Sequence, residues 1–152
     1  MIASRAKALI VGTLLLAPAA THDASPVPRP RMLEVVTGGH AVWRGAVAEG
    51  EALDLSFIHS SERCRWTQHL HVRRDAIEQS ASTFSCFGPG MPVWTPATRR
   101  SAEGYTVPAH LRLAAIPMVN WRPAAITLRY RGQTLAIGEW IDDWARFDVR
   151  VR

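Results

Sequence analysis

The chain has 152 residues, 47% of them hydrophobic, which is enough for one domain with a real core. Its formal charge is +5, and this falls to +3 if the first 19 residues are removed, because Arg5 and Lys7 lie there. So small a positive charge does not indicate a nucleic-acid-binding protein. We therefore expect no nucleic acid among its partners.

The first residues have the features of a secretory signal peptide. Arg5 and Lys7 precede a ten-residue apolar run, and Ala17-Pro18-Ala19 supplies the small residues of a cleavage site. Spanning a bilayer takes about 20 apolar residues. We predict a signal peptide at 1–19, a Pro-rich linker at 20–31 and a single β domain at 32–152. The protein is then periplasmic, without a membrane span in the mature chain, or tethered at its N-terminus if the signal is retained.

Alternation of apolar and polar residues predicts short strands from Leu33 to the end of the chain. A single helical turn is expected at most, at Ile141–Ala145. The pattern predicts an all-β fold, an antiparallel β-sandwich or small barrel of eight to nine short strands. The alternating runs lie at 33–37, 41–47, 53–57, 66–72, 76–86, 111–115, 126–130, 135–137 and 147–151.

The segment from Phe87 to Pro108 is rich in Gly, Pro, Ser and Thr, with Trp94 and Tyr105 as expected anchors. It is long for a loop in a compact domain, which indicates either a functional role or a strand that the pattern conceals.

Cys64 and Cys86 are the two cysteines of the chain. In an exported protein such a pair usually forms a disulfide, and two separate buried thiols are the alternative. A bond would bring the His59-Ser60 end of the third predicted strand towards the loop at Gly88–Gly90.

Three short motifs carry a family resemblance: residues 57–60 followed by Glu62, residues 87–92, and residues 103–105. They resemble domain-of-unknown-function family 1850, whose members are short exported proteins with an aromatic-x-His-Ser motif and a Gly-Ala-Gly-Leu-Pro loop. In this chain Pro89 and Met91 replace the Ala and the Leu. The resemblance covers residues 33–152.

Members of that family are commonly encoded beside TAXI-type TRAP transporters, which have a fused permease and an extracytoplasmic solute receptor. The resemblance therefore implies an accessory role in solute uptake, with the permease or the receptor as partner. It implies no known reaction, and we predict no cofactor.

His59, Ser60 and Glu62 include the residue types of a base, a nucleophile and an orienting acid. Neighbours on a strand point to opposite faces, however, so His59 is badly placed to activate the Ser60 hydroxyl. We therefore predict no catalytic residues and regard an enzyme as the less favoured interpretation. A periplasmic hydrolase centred on His59 and a purely structural domain stay open as alternatives.

His69 and His71 lie on one face of a predicted strand, a spacing compatible with metal ligation. Three convergent ligands are needed, with His59 or His40 as the conceivable third, so solvated surface is expected and no metal site is predicted.

The preferred site is a pocket between the His59 tip and the Gly-Pro-Gly loop, binding a transporter component or a small anionic solute. Arg63 or Arg65 would add positive charge to it. Of the six tryptophans, Trp140 and Trp144 have the most surface-like context, as expected of a docking surface. The residues predicted to bind the ligand are His59, Ser60, Glu62, Gly88, Gly90 and Pro92.

Overall fold

The computed structural model describes residues 30–152. The predicted signal peptide and nearly all of the predicted linker lie outside the described residues. The chain forms eleven strands and two short 3-10 helices, at Arg122–Ala124 and Ile137–Glu139. The strands are β1 (Arg31–Thr37), β2 (His40–Val47), β3 (Ala52–Ile58), β4 (Arg65–Val72), β5 (Ile77–Phe84), β6 (Arg99–Ser101), β7 (Gly104–Leu113), β8 (Ala115–Val119), β9 (Thr127–Tyr130), β10 (Gln133–Leu135) and β11 (Arg146–Val151).

The strands make two antiparallel sheets. One has four strands in the order β2-β1-β11-β8, and the other has seven in the order β10-β9-β3-β4-β5-β7-β6. Two open antiparallel sheets packed face to face confirm the predicted all-β sandwich, although it has eleven strands and not eight or nine.

Alternation puts one face of each sheet into a shared core. In β11, Phe147, Val149 and Val151 are buried, and in β3 Leu53 and Leu55 are buried opposite them in the other sheet. Burying aliphatic and aromatic side chains of this size contributes about 1.5–3 kcal/mol each. The same core holds Leu33, Val35, Leu70, Val72, Ile77, Ile116, Ile126 and Leu128.

The sequence placed Leu111 to Ala115 in one strand, and this is wrong. β7 ends at Leu113 in the seven-stranded sheet, and β8 begins at Ala115 in the four-stranded sheet. The chain thus crosses from one sheet to the other at Ala114. The alternation of Leu111, Leu113 and Ala115 does not match the burial, because Leu111 is exposed and the buried residue of β8 is Ile116.

The long segment Phe87–Pro108 does conceal strands. β6 lies inside it and pairs with the start of β7, with Ser101 opposite Gly104. The helical turn expected at Ile141–Ala145 is instead a turn closed by the Ala145 amide, which donates to the Asp142 carbonyl at 3.1 Å. The one-turn helix lies earlier, at Ile137–Glu139.

A carboxylate is buried on the outer face of the four-stranded sheet. Glu34 accepts hydrogen bonds from Arg44 at 2.9 Å and from Arg150 at 3.1 Å. Burial alone would raise the pKa of Glu34, but these two guanidinium groups outweigh burial and the pKa is lowered. The ion cluster joins β1, β2 and β11 across the sheet.

Candidate ligand-binding site

The predicted disulfide is present between Cys64 and Cys86, with their Cα atoms 6.1 Å apart. It joins the β3–β4 connection to the segment that follows β5. Both predicted motifs are therefore held at the same end of the seven-stranded sheet.

Residues 59–64 form a tight loop at the end of β3. The His59 amide donates to the Cys64 carbonyl at 2.8 Å, and the Arg63 amide donates to the His59 carbonyl at 2.9 Å. This closure holds Arg63 in a left-handed conformation, with φ of 56°. Such a conformation is unfavourable for a residue with a side chain, so it costs about 1–3 kcal/mol and needs support from its surroundings.

The loop at Gly88–Gly90 lies directly on this turn. A Cβ placed on Gly88 would come within 2.2 Å of the Glu62 side chain, and one placed on Gly90 would lie 3.8 Å from His59 Nε2. Glycine at position 88 therefore makes room for Glu62. The two motifs are in contact, as a Cys64–Cys86 bond was expected to arrange.

A cleft of about 480 Å³ opens on another side of the His59 turn. Its polar groups are His59, Ser60 and Arg63, whereas Glu62, Gly88, Gly90 and Pro92 are not among the residues that line it. Only His59 and Ser60 of the six predicted ligand-binding residues thus contribute to the cleft. Its apolar lining comes from the turn and from two later segments: Phe57, Ile58, Met118, Val119, Trp121, Ala124, Ile126 and Trp144.

Arg63 and Trp121 face each other in this cleft. The Arg63 guanidinium carbon lies 5.7 Å from the centroid of the Trp121 ring, within the range of a cation–π contact. Among residues 30–152, no carboxylate lies within ion-pair distance of Arg63. Its charge is therefore available to a bound anion.

Asn120 holds the far wall of the cleft. Its fully buried side-chain amide donates to the carbonyls of Gly138 at 2.9 Å and Ile141 at 2.7 Å. The backbone carbonyl of Asn120 accepts a hydrogen bond from the Trp144 amide at 2.6 Å. Trp144 is fixed in a left-handed conformation with φ of 65°, and its side chain is 68% exposed. Trp140 is 41% exposed, so the predicted surface character of these two tryptophans is confirmed.

The contacts of His59 do not support the hydrolase alternative. Its Nδ1 atom lies 3.2 Å from Ser61 Oγ, not from Ser60, and its ring packs on Trp66 with centroids 5.6 Å apart. No carboxylate hydrogen-bonded to His59 is found in the part of the chain that the structure describes. An orienting acid is thus missing from this histidine.

Of the two histidines considered for metal binding, His69 has both ring nitrogens in hydrogen bonds to neighbouring side chains. His69 hydrogen-bonds Asp54 at 2.7 Å through Nδ1 and Thr83 at 2.8 Å through Nε2. Over residues 30–152, no three His, Cys, Asp or Glu side chains are grouped so that they could hold a metal ion.

Another depression, of about 590 Å³, lies on the outer face of the four-stranded sheet and contains none of the motif residues. It adjoins the cleft through Met118 and Val119, which line both. In its wall, Arg150 is already held by Glu34. We therefore place the candidate site at the apolar cleft beside His59.

Sequence reasoning missed the far wall of this cleft. Trp121 and Trp144 lie about 60 and 85 residues after His59 in the chain, and nothing local to them indicates proximity to it. Arg63 was named as a source of charge, and the structure places it in the cleft. The tryptophan count was the available signal, because interfaces and ligand sites favour Trp and Arg.

A family model described as domain of unknown function (DUF1850) matches residues 53–137. The match covers the His59 turn, the Gly88–Gly90 loop and Trp121, but not Trp144. No curated protein and no solved structure is significantly similar to the chain.

Proposed function

Because the chain belongs to the DUF1850 family, a domain family of unknown function, we propose that it is an exported accessory binding protein for TAXI-type TRAP solute uptake. It takes a small anion with an apolar body into the cleft beside His59. The observation that carries this proposal is the Arg63 guanidinium, which has no carboxylate partner among residues 30–152 and lies beside a largely apolar cleft. Among described residues, no helix has the length and apolarity needed to cross a membrane.

The chemistry of the cleft favours a carboxylate with an aromatic or aliphatic body. Trp121, Trp144 and Met118 offer flat and adaptable apolar surface, which an apolar body covers. The Arg63 fork can donate two hydrogen bonds to one carboxylate. Ser60 and His59 supply further donors at the same edge. A volume of about 480 Å³ lies within the usual range for small-molecule sites.

Backbone strain supports a functional reading of the same residues. Four residues other than glycine have positive φ among residues 30–152, and two of them, Arg63 and Trp144, line this cleft. Strained conformations of this kind persist where the surroundings enforce them, and they are concentrated at ligand sites. Both walls of the cleft are thus held in fixed positions before any ligand binds.

The test compares two ligands that differ only in charge, phenylacetate and phenylacetamide, by calorimetric titration of the mature protein. We expect phenylacetate to bind about tenfold more tightly, since hydrogen bonds to a charged group contribute about 1.5–3 kcal/mol. Arg63→Gln should remove this preference, and Arg74→Gln, at an exposed turn away from the cleft, should keep it. Equal affinities for the two ligands in the unchanged protein would contradict the proposal.

The transport role has a separate test. The mature protein, immobilised, is incubated with solubilised membranes and periplasm of cells that carry a TAXI-type TRAP system. Recovery of the permease or the solute receptor, identified by mass spectrometry and reduced with Arg63→Gln or Trp144→Ala, is the expected result. Recovery of neither component, or equal recovery with an unrelated exported β-sandwich, would contradict the transport role. It would not bear on ligand binding by the cleft.

A further inference from the structure

A second group of polar side chains lies on the outer face of the seven-stranded sheet, away from the cleft. Asp54 on β3, His69 on β4 and Thr83 on β5 point to the same face of three neighbouring strands. They line a depression of about 420 Å³ that shares no lining residue with the cleft beside His59. We propose that Asp54, His69 and Thr83 form a catalytic triad for the hydrolysis of small polar esters.

The three side chains are hydrogen-bonded in series. Asp54 Oδ1 lies 2.7 Å from His69 Nδ1, and His69 Nε2 lies 2.8 Å from Thr83 Oγ1. A carboxylate can only accept, so Nδ1 carries the proton and Nε2 of the neutral ring accepts from the Thr83 hydroxyl. The hydroxyl thus donates to the imidazole and the imidazole donates to the carboxylate. Nucleophilic catalysis requires this direction of donation.

The surroundings fix each member of the series. The second oxygen of Asp54 accepts a hydrogen bond from Arg129, which holds the carboxylate in place. Thr106 Oγ1 lies 2.9 Å from Thr83 Oγ1 and donates to it, because the Thr83 hydroxyl proton is directed at His69. Asp54 is 15% exposed and His69 is 36% exposed at the side chain, so the base is open to a substrate while its orienting acid is covered.

Arg65 supplies the positive charge that the reaction needs. It lines the same depression, and it lies on β4 two residues before Thr67, the residue opposite Thr83. Diagonal neighbours on a sheet are about 7–8 Å apart, within reach of a long side chain. Its guanidinium can therefore face the oxygen that becomes negative when Thr83 attacks a carbonyl carbon.

The reaction balances with water as the only co-reactant. Thr83 Oγ1 forms a bond to the ester carbonyl carbon while its proton passes to His69 Nε2. The bond from carbon to the leaving alcohol oxygen then breaks, and Nε2 returns the proton to that oxygen. Water repeats the sequence on the acyl-threonine, which releases the carboxylic acid and restores the Thr83 hydroxyl.

The hydroxyl-rich lining indicates a polar substrate. Ser56 and Thr67 are hydrogen-bonded at 2.8 Å beside the triad, and Thr127 and Thr134 lie on the same depression. Hydroxyl groups on both sides of the ester can exchange hydrogen bonds with this row. The substrate class is therefore an ester of a short acid with a polyhydroxylated alcohol.

The test uses hydrolysis of p-nitrophenyl acetate by the mature protein and labelling with an alkyl fluorophosphonate, located by peptide mass spectrometry. Thr83→Val and His69→Gln should each lower the rate about 100-fold, the scale of a lost nucleophile or base. Two matched controls should keep the rate: Thr37→Val removes a hydroxyl of the four-stranded sheet, and His71→Gln removes the next histidine on the strand. The label should be found on Thr83.

A polar surface without catalysis would give a different result. The rate with Thr83→Val or His69→Gln would then equal that of the unchanged protein, or the two controls would lower it equally. If Thr83→Val does not fold, Thr83→Ser keeps a hydroxyl and should keep both hydrolysis and labelling; loss of both in folded protein would refute the triad. Phenylacetate binding is measured on the same variants and should not change. Failure of the triad proposal can therefore be told apart from failure of the proposed ligand binding.

Discussion

At the scale of single residues, Gly104 is required by close contact with the neighbouring strand. A Cβ at this position would lie 2.3 Å from the carbonyl oxygen of Phe84, and φ is 130°. A backbone oxygen cannot turn aside as the end of a side chain can. Both packing and conformation therefore oppose any other residue where β7 begins.

We expect Gly104→Ala to lower the free energy of unfolding by about 3 kcal/mol, because it combines a backbone clash with strain. Gly132 is the matched control, since it also has positive φ, at 75°, but nothing within 4 Å of a Cβ. Gly132→Ala should cost about 1 kcal/mol through strain alone. Denaturant unfolding measures the free energy of unfolding of both variants. Equal losses would show that the contact with Phe84 does not affect stability.

Glu34 gives stability a dependence on acid. Its pKa is lowered from the ordinary value of 4.5, so folding favours the charged carboxylate. The contribution of Glu34 is therefore complete above about pH 4.5 and is lost as the pH falls through the lowered pKa. Glu34→Gln should reduce the free energy of unfolding by about 2 kcal/mol at pH 7, the worth of hydrogen bonds to a charged group.

The same substitution should have a smaller effect at pH 3, because the contribution of Glu34 to stability is already being lost below its ordinary pKa of 4.5. Denaturant unfolding at the two pH values gives the comparison, with Glu139→Gln, at an exposed position, as the control. A loss that is the same at both pH values would mean that shape and not charge at position 34 stabilises the sheet.

At the scale of elements, alternation of apolar and polar residues was sufficient to predict the sandwich and most of its strands. It worked for β3 and β11 because one face of each is buried in the core. It did not locate β6, in which all three residues are exposed, since a strand without a buried face has no apolar pattern. It could not separate β7 from β8, because only Ala114 lies between them and apolar residues occur on both sides of it.

The edges of the sheets also have a physical explanation. β8 is an edge strand of the four-stranded sheet, and Pro117 lies at its centre opposite Asp148. Proline has no amide proton, so it is tolerated where that side of the strand has no neighbour, and it discourages the addition of a further strand.

The disulfide links the residue before β4 to the segment after β5, at the end where these two strands already pair. Replacing both Cys64 and Cys86 with Ser should lower the free energy of unfolding by about 3 kcal/mol, because the unfolded chain regains the entropy of an open loop. Thermal and denaturant unfolding measure the loss, and the reduced unchanged protein should match the double variant. Unaltered stability in both would contradict a structural role for the bond.

At the scale of the whole molecule, the sandwich presents two separate polar–apolar arrangements. The cleft beside His59 joins the end of β3 to residues 118–144 near the edge strand β8, whereas the Asp54–His69–Thr83 series lies on the outer sheet face. The sequence indicated one wall of the first by its His-Ser motif, whereas the cysteines pointed to the Gly88–Gly90 loop, which does not line the cleft. It could not indicate either arrangement fully, because each is assembled from strands distant in the chain.

His69 illustrates this limit. Its sequence context placed it on a polar strand face as solvated surface, which is where it lies, but its partners Asp54 and Thr83 come from the strands on either side. Arg63 was recognised as a charged neighbour of the motif, while Trp121 and Trp144 become its neighbours only through the fold. The local sequence pattern predicts which face of the sheet a side chain lies on, and the register between strands decides which side chains it contacts.

The most direct measurement for the central claim is the response of the indole N–H signals in NMR spectra of the mature protein titrated with phenylacetate. We predict that the signals of Trp121 and Trp144 shift with a common saturation curve, while those of Trp43 and Trp94, away from the cleft, do not. Shifts at Trp94 without Trp121, or no shift at any tryptophan, would contradict a binding site beside His59.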